Sequence, residues 1–337
     1  MQRTNYLARK VLFRAITLVV VIIFNFFLFR ILPGDPVKSI ARSPRLTREV
    51  REQLMVDFGL DKPVWINIDA LKKGNILGGL DTQFTAYFQE LMKGNLGVSY
   101  RSRRDVAEVL QERVGRTVLL VAGGEIIALI FGVTLGLIAA WRRDTRLDTS
   151  ILLSALFFWA FPTFFLGIIL LILAGGHLPI GGMVTPGLKP VDGWKYWIDV
   201  GEHLILPTLT MAIIYTSSYV MIMRSSVLEV LSEDYILTAK AKGMNTFQIL
   251  RDHALKNAML PIVTIVALNL GYIVGGAIQV ETVFSWPGIG RLMYDSVTQR
   301  DYPMMQGIFL ILAISVITAN LMADLLYSIL DPRVRAE

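Results

Sequence analysis

Six stretches of this chain are each long and apolar enough to cross a lipid bilayer: Val11–Ile31, Thr117–Ala140, Ile151–Ala174, Leu204–Met223, Ile262–Val280 and Gln306–Leu330. At 1.5 Å per residue, about 20 helical residues span the roughly 30 Å hydrocarbon core. Lipid offers no hydrogen bonds, so each segment must satisfy its own backbone, and a helix does so. The expected fold is an all-α integral membrane protein of six transmembrane helices. A long extracytoplasmic loop follows the first helix, and a short cytoplasmic helix lies between the fourth and fifth. The balance of residues agrees: 54% are hydrophobic and 18% charged, against about 25% charged in soluble domains. A signal peptide is the competing reading of the first stretch, with Ser39-Ile40-Ala41 as a loose cleavage site. The apolar run is long for that role and the site lies well past its end, which favours an uncleaved span.

Three segments result: 1–32, tail and first span; 33–116, an extracytoplasmic region; 117–337, a five-helix core containing the loop 224–260. Six spans put both termini on one side. Assigning that side to the cytoplasm gives 14 Lys and Arg in residues 1–14, 141–149, 224–258 and 331–337. The short outer loops, 174–203 and 281–304, carry 4. The bias places the termini and the 224–260 loop in the cytoplasm, while the long loop largely escapes the rule. The formal net charge of +6 therefore orients the chain rather than marking a nucleic-acid surface. Cysteine is absent, which excludes disulfides and thiolate chemistry. His177, His203 and His253 fall in different loops, with neither an HExxH pair nor a phosphate-binding GxxxxGK[ST]. No cofactor or metal is implied, and the chain cannot hydrolyse ATP through a P-loop of its own.

Within the outer region, Thr47–Phe58 has helical spacing of Val50, Leu54 and Phe58, with Thr47 as cap and Gly59 as stop. Trp65–Phe84 reads as a tolerated surface loop. Glu125 lies inside the second span, where a carboxylate is costly; it faces either a transport path or a neighbouring helix, neutral or paired with an arginine. Pro162 should kink the third span, beside Trp159. Trp194, Tyr196 and Trp197 are candidate interfacial anchors. Tyr215, Ser217 and Asn269 could line an aqueous path or hydrogen-bond between helices, and Gly271, Gly275 and Gly276 permit close helix contact. Asn320 and Asp324 lie toward the inner end of the last span.

The stretch Glu233–Pro261 is too polar to enter the bilayer. Tyr235–Lys242 reads as a short helix with Ser232 as N-cap, ended by Gly243. Thr246 can cap a second helix with Ile249, Leu250, Ala254 and Leu255 on one side, and Pro261 would open the fifth span. The residues allow a basic helix lying on the membrane or a docking element for a soluble partner.

The run Ser225–Gly243, SSVLEVLSEDYILTAKAKG, followed by HALKNAMLP, resembles the cytoplasmic coupling loop of ABC importer permeases, and in particular of the dipeptide/oligopeptide/nickel family. Leu237, Thr238 and Ala239 occupy the positions of that superfamily's Glu-Ala-Ala signature, with Gly243 at its glycine. Arg30–Pro36, Phe58–Pro63, Gly94–Tyr100, Glu281–Arg291, Arg300–Pro303 and Asp331–Arg335 also resemble the family, in matching order. Relative to it, Trp65–Phe84 is an insertion. The resemblance implies a non-enzymatic permease subunit in the cell (inner/plasma) membrane. Its partners would be a second homologous permease, two cytoplasmic ATPase subunits and an extracytoplasmic solute-binding protein, with peptide as the commonest cargo. It implies ATPase coupling through Tyr235, Thr238, Ala239, Lys240, Ala241 and Gly243, transmitted rigidly to the spans. Trp159, Tyr215, Ser217 and Asn269 would border the substrate path. The rival readings are a proton-driven secondary transporter using Glu125 or Asp324, an intramembrane enzyme, and a same-family importer of oligosaccharides or nickel complexes.

Overall fold

A computed structural model describes residues 2–31, 52, 61–272 and 277–330. Pro33 and Pro36, the Thr47–Phe58 helix with Gly59, Gly275, Gly276 and the closing Asp331–Arg335 lie outside the described residues, as do the surroundings of Gly271 and the Asp324 side chain. The described chain is helical, and its β structure is a lone bridge between Val98 and Asp105.

Long apolar runs make α1, Gln2–Ile31, and α14, Tyr302–Leu330, the latter with Pro303 in its first turn, where proline is tolerated. Between them come α2, Ile68–Lys72; α3, Ile76–Gly79; α4, Gln83–Met92; and α5, Val106–Trp141. The chain continues with α6, Arg146–Trp159; α7, Thr163–Ala174; and α8, Trp194–Leu231. There follow α9, Asp234–Ala241; α10, Thr246–Ile249; α11, Leu255–Tyr272; α12, Ile278–Val283; and α13, Ile289–Gln299. Among the described residues, four helices are long and apolar enough to cross a membrane, over Arg9–Phe29, Val106–Trp141, Trp194–Leu231 and Tyr302–Met322. The α6–α7 pair adds a fifth if counted as one crossing. The expected span Ile262–Val280 falls on α11 and α12, with residues 273–276 between them undescribed.

The expected kink at Pro162 is a break. α6 and α7 meet at 103°, and Pro162 is extended at the N-cap of α7. Proline lacks the N–H that would continue the helix and disfavours helical geometry at Phe161. Helices start before the expected spans: α5 at Val106, α8 at Trp194 and α11 at Leu255. α8 starts at Trp194, within the stretch read as an outer loop, and runs through Pro207 and Arg224 to Leu231. His203, assigned to a loop, is therefore buried inside a helix, its ring hydrogen-bonded to the Asp199 carbonyl at 2.8 Å. Pro261 does not open a helix. It sits inside α11, which continues from α10 through a π-turn at Leu250–Ala254.

The chain divides into two compact units, Met1–Arg113 with Leu292–Ala313, and Val114–Arg291 with Ile314–Glu337. In the first, Phe26 is buried among Trp65, Phe84 and Tyr87, and Asn25 donates to the Gln306 carbonyl at 3.0 Å. Buried Asp301 accepts from the Ser99 hydroxyl and from the Tyr100 and Arg101 amides, which ties the 98–105 turn to the start of α14.

In the second unit, α5 packs on α8 along a stripe of small residues four apart: Gly124, Ala128, Gly132, Gly136 and Ala140. A Cβ at Gly132 would lie 2.3 Å from the Tyr219 Cβ, and one at Gly136 2.7 Å from the Met223 Cβ. Small residues allow this backbone approach, which supplies the van der Waals packing that holds helices together in lipid. The buried cores around Tyr219, Met223 and Ile262, and around Leu120, Phe284 and Trp286, fix α5, α8, α11 and α12 against one another.

Candidate functional site

The loop between α8 and α11 folds on its own small core. Ile236 and Ala239 of α9 are buried with Ile249 and packed against Val230, Leu231 and Met244. Burying two to three aliphatic side chains stabilises by several kcal/mol at about 1.5–3 kcal/mol each, which holds an eight-residue helix that alone would be marginal. Two capping expectations are corrected. Ser232 does not start α9: it closes α8, and its hydroxyl donates to the Glu229 carbonyl at 2.6 Å. The N-cap of α9 is Glu233. Asn245, not Thr246, caps α10, in a reciprocal pair with Gln248 at 2.9 Å each way; the amide reaches the N3 backbone that Thr246, already helical, cannot reach. Gly243 has φ +82°, the left-handed stop expected of it.

This arrangement sorts the six coupling candidates. Ala239 is turned inward, and Thr238, Lys240, Ala241 and Gly243 are exposed. Tyr235 is exposed at its ring but its hydroxyl accepts from the Asn257 amide at 2.8 Å, which links α9 to α11. The outer surface is apolar at Leu237, 62% exposed, and at Phe247, 57% exposed. Sequence reasoning missed both. The available signal was adjacency: Leu237 directly follows buried Ile236, and successive helical residues point about 100° apart. Arg251 beside Asp252 holds that carboxyl below the ordinary carboxylate range. The connection to the fifth span runs through a wide turn at Leu250–Ala254 and past a proline at 261.

Within the spans, the structure brings together Glu125 and Asn269 and adds Tyr219. The Tyr219 hydroxyl donates to the Glu125 carboxylate. The Asn269 amide donates to the same oxygen at 3.2 Å and to the Tyr219 oxygen at 3.1 Å. Glu125 thus joins three helices, α5, α8 and α11, and its partners are a phenol and an amide rather than an arginine. Tyr215 lies one turn before Tyr219 and packs in both cores. Ser217, on the opposite face of α8, donates to the Ile213 carbonyl at 3.0 Å and borders an apolar groove of about 500 Å³ between α5, α6 and α8. Trp159 is exposed at the α6–α7 break. The four path candidates therefore do not form one cluster. Arg224, expected to end a span, forms a two-pronged ion pair with buried Asp148, both contacts at 2.7 Å. Among the described residues, no three His, Asp or Glu side chains converge as a metal site.

The ETVFSWPGIGR stretch is built around buried Glu281. Its carboxylate accepts from the Thr117 hydroxyl at 2.6 Å and from the Arg291 amide at 2.9 Å. Thr117 in turn accepts from the Ile289 amide at 2.8 Å, and the Trp286 indole donates to the Arg116 carbonyl at 3.0 Å. Gly288 is required here: a Cβ would lie 2.2 Å from a Glu281 carboxylate oxygen.

Long apolar helices, a self-contained polar loop between two of them and a buried polar knot in their midst define a helical membrane protein of the transporter kind. Residues 132–336 match the binding-protein-dependent transport system inner membrane component, and residues 3–121 match the N-terminal membrane component of such systems. The chain belongs to that family and is a membrane permease component. It is 35% identical to the dipeptide transport system permease protein DppB of Escherichia coli (strain K12) over 338 aligned residues, covering 95% of each chain. It is 36% identical to the glutathione transport system permease protein GsiC of the same strain, covering 98% of this chain and 99% of that one. Membership does not favour the proton-driven alternative.

Proposed function

We propose that the chain is one of two homologous permeases of an importer for peptides or small peptide-like solutes, powered by ATP hydrolysis on separate subunits. An extracytoplasmic binding protein delivers the solute. Six helices cross the membrane, with both termini and the 224–260 loop in the cytoplasm. The observation that carries the coupling role is α9, buried on one face against its own loop and apolar on the other at Leu237. Its exposed face, with Tyr235, Thr238, Lys240 and Ala241, sits in a groove of an ATPase subunit, while Ala239 and Gly243 hold its shape. Closure of the ATPase pair pushes on α9 and shifts α8 and α11 between inward-open and outward-open packings. Swinging that equilibrium from 1:99 to 99:1 takes about 5.5 kcal/mol, within reach of nucleotide binding at two sites. Peptide cargo is supported by the names of the two relatives, and Tyr215, Asn269, Ser217 and Trp159 are the residues whose variants should report on the path.

The test is co-purification of the tagged chain with the co-expressed importer subunits. Wild type should bring down the ATPases. Leu237→Arg should insert normally and lose them, while Arg251→Ala, on the same loop, should keep them. Absence of ATPase from the wild-type sample, or a Leu237→Arg chain that binds and couples as wild type does, would end the docking role of α9. Ala239→Arg is a poorer probe, since it drives a charge into the loop's core.

A further inference from the structure

The segment Trp65–Leu80 is no loose insertion. Its two helical turns close on each other: the Asn67 amide donates to the Gly79 carbonyl at 3.0 Å, and Asn67 and Asn75 side chains cap the amides of Ala70 and Gly78 at 3.1 and 2.8 Å. Gly74 makes the reversal at φ +78°, and the Leu71 side chain lies over Gly79 with no room for a Cβ. Both ends are tied. The Gln83 side chain donates to the Lys62 carbonyl at 2.7 Å, and Lys62 pairs with Asp81 at 2.6 Å. Yet this built hairpin turns apolar side chains outward: Ile66, Ile68, Ile76 and Leu80 are all more than half exposed, Ile76 at 76%.

What covers them follows from where the hairpin is fastened. The Trp65 ring lies 3.8 Å from the Phe27 ring, centroid to centroid, near the C-terminal end of α1. The preceding turns of α1 present a bare apolar surface through Val11, Leu12, Ile16, Val20 and Phe24, the surface that a bilayer must cover if α1 crosses it. That surface stops at Asn25 and Phe26, which are buried, Phe26 against the hairpin's Trp65 and against Phe84 and Tyr87 just after it. The hairpin thus begins at the rim of the lipid-covered zone and continues its apolar face. Tryptophan at such a rim, aliphatic side chains beside it and the exposed pair Lys72 and Lys73 are the chemistry of an element lying in the headgroup region.

We propose that Trp65–Leu80 is an interfacial anchor, set in the bilayer surface at the C-terminal end of α1, with Ile68 and Ile76 among the upper acyl chains and the lysines toward lipid phosphates. It fixes the height of the first unit on the membrane.

The absence of native cysteine makes the test direct. Single variants Ile68→Cys, Ile76→Cys and Lys73→Cys of the full chain, with Val20→Cys as a lipid-covered reference, carry a nitroxide label in phospholipid nanodiscs. Collisions with oxygen, which concentrates in lipid, are compared with those of a water-soluble nickel chelate. Labels at 68 and 76 should favour oxygen as the label at 20 does, with nickel collisions several-fold below those at 73. Adding Trp65→Ala to Ile76→Cys should raise nickel access toward the value at 73. Water-like access at 68 and 76 overturns the proposal. So does exclusion of both reagents, the signature of a protein partner, and so does a Trp65→Ala change that leaves position 76 in lipid.

Discussion

Two glutamates are buried in the second unit, and they are held in opposite ways. Glu281 is held on both sides: each carboxylate oxygen has its own donor, from Thr117 on one side and the Arg291 amide on the other, and Gly288 leaves it the necessary space. Glu125 is lopsided. Tyr219 and Asn269 both address one oxygen, and the other has no hydrogen bond among the described residues. A buried carboxylate with both oxygens engaged fixes its surroundings, because any movement leaves donors stranded. One with an oxygen uncommitted can exchange partners without that loss. Burial alone therefore does not mark a moving part; each carboxylate accepts two of these bonds, and their distribution over the two oxygens separates the bolt from the latch.

The largest expected effect tests the bolt. Glu281→Ala strands the Thr117 hydroxyl and the Arg291 amide, and should destabilise the chain by about 4 kcal/mol, at roughly 1–3 kcal/mol for each unsatisfied group. Thermal unfolding in detergent, followed by tryptophan fluorescence, reads this directly because Trp286 sits in the same turn. Next comes Gly132→Ala, which pushes a methyl into the Tyr219 Cβ and should cost about 2 kcal/mol through overpacking. The same unfolding assay would show it, and Gly115→Ala, which has open space, should leave the transition where it is. Tyr219→Phe removes one donor to Glu125 without changing the packing, and about 1–2 kcal/mol is expected. Smallest is Glu125→Gln. The amide keeps an oxygen for Tyr219 and Asn269, so the unfolding midpoint should move by less than about 1 kcal/mol equivalent, while solute uptake into proteoliposomes falls. A Glu125→Gln chain as destabilised as Glu281→Ala would erase the distinction between the two residues; unchanged uptake would make Glu125 structural only.

Much of the architecture could be read from the chain because lipid imposes a single rule on spanning segments, long apolar runs, and the α1, α5, α8 and α14 runs obey it. Gly243 was legible for the same kind of reason: a left-handed stop accepts few residues. What escaped depends on distant partners. Ser232 and Thr246 are good caps in isolation, but Glu233, Asn245 and Gln248 are set by where the loop's core places the chain. Arg224 looked like the end of a span because a charge is costly in lipid, and Asp148 on another helix removes that cost. The stripe from Gly124 to Ala140 is visible as a four-residue repeat of small side chains, but nothing in it names Tyr219, which lies on another helix, as the neighbour of Glu125. The break at Pro162 was located but not its size, since proline deletes a hydrogen bond and leaves the angle to the surrounding packing.

The helix from Thr246 to Tyr272 has a mechanical consequence. Its π-turn at Leu250–Ala254 has displaced hydrogen bonds, and Pro261 gives no hydrogen bond to the Asn257 carbonyl, so the segment between is stiff and both its ends are compliant. Such a part behaves as a connecting rod with a joint at each end. In the proposed cycle, a push on the loop would reach the span as a change of angle at these two points rather than as a straight thrust. The Tyr235–Asn257 hydrogen bond bridges the first of these joints, and would limit how far it can bend.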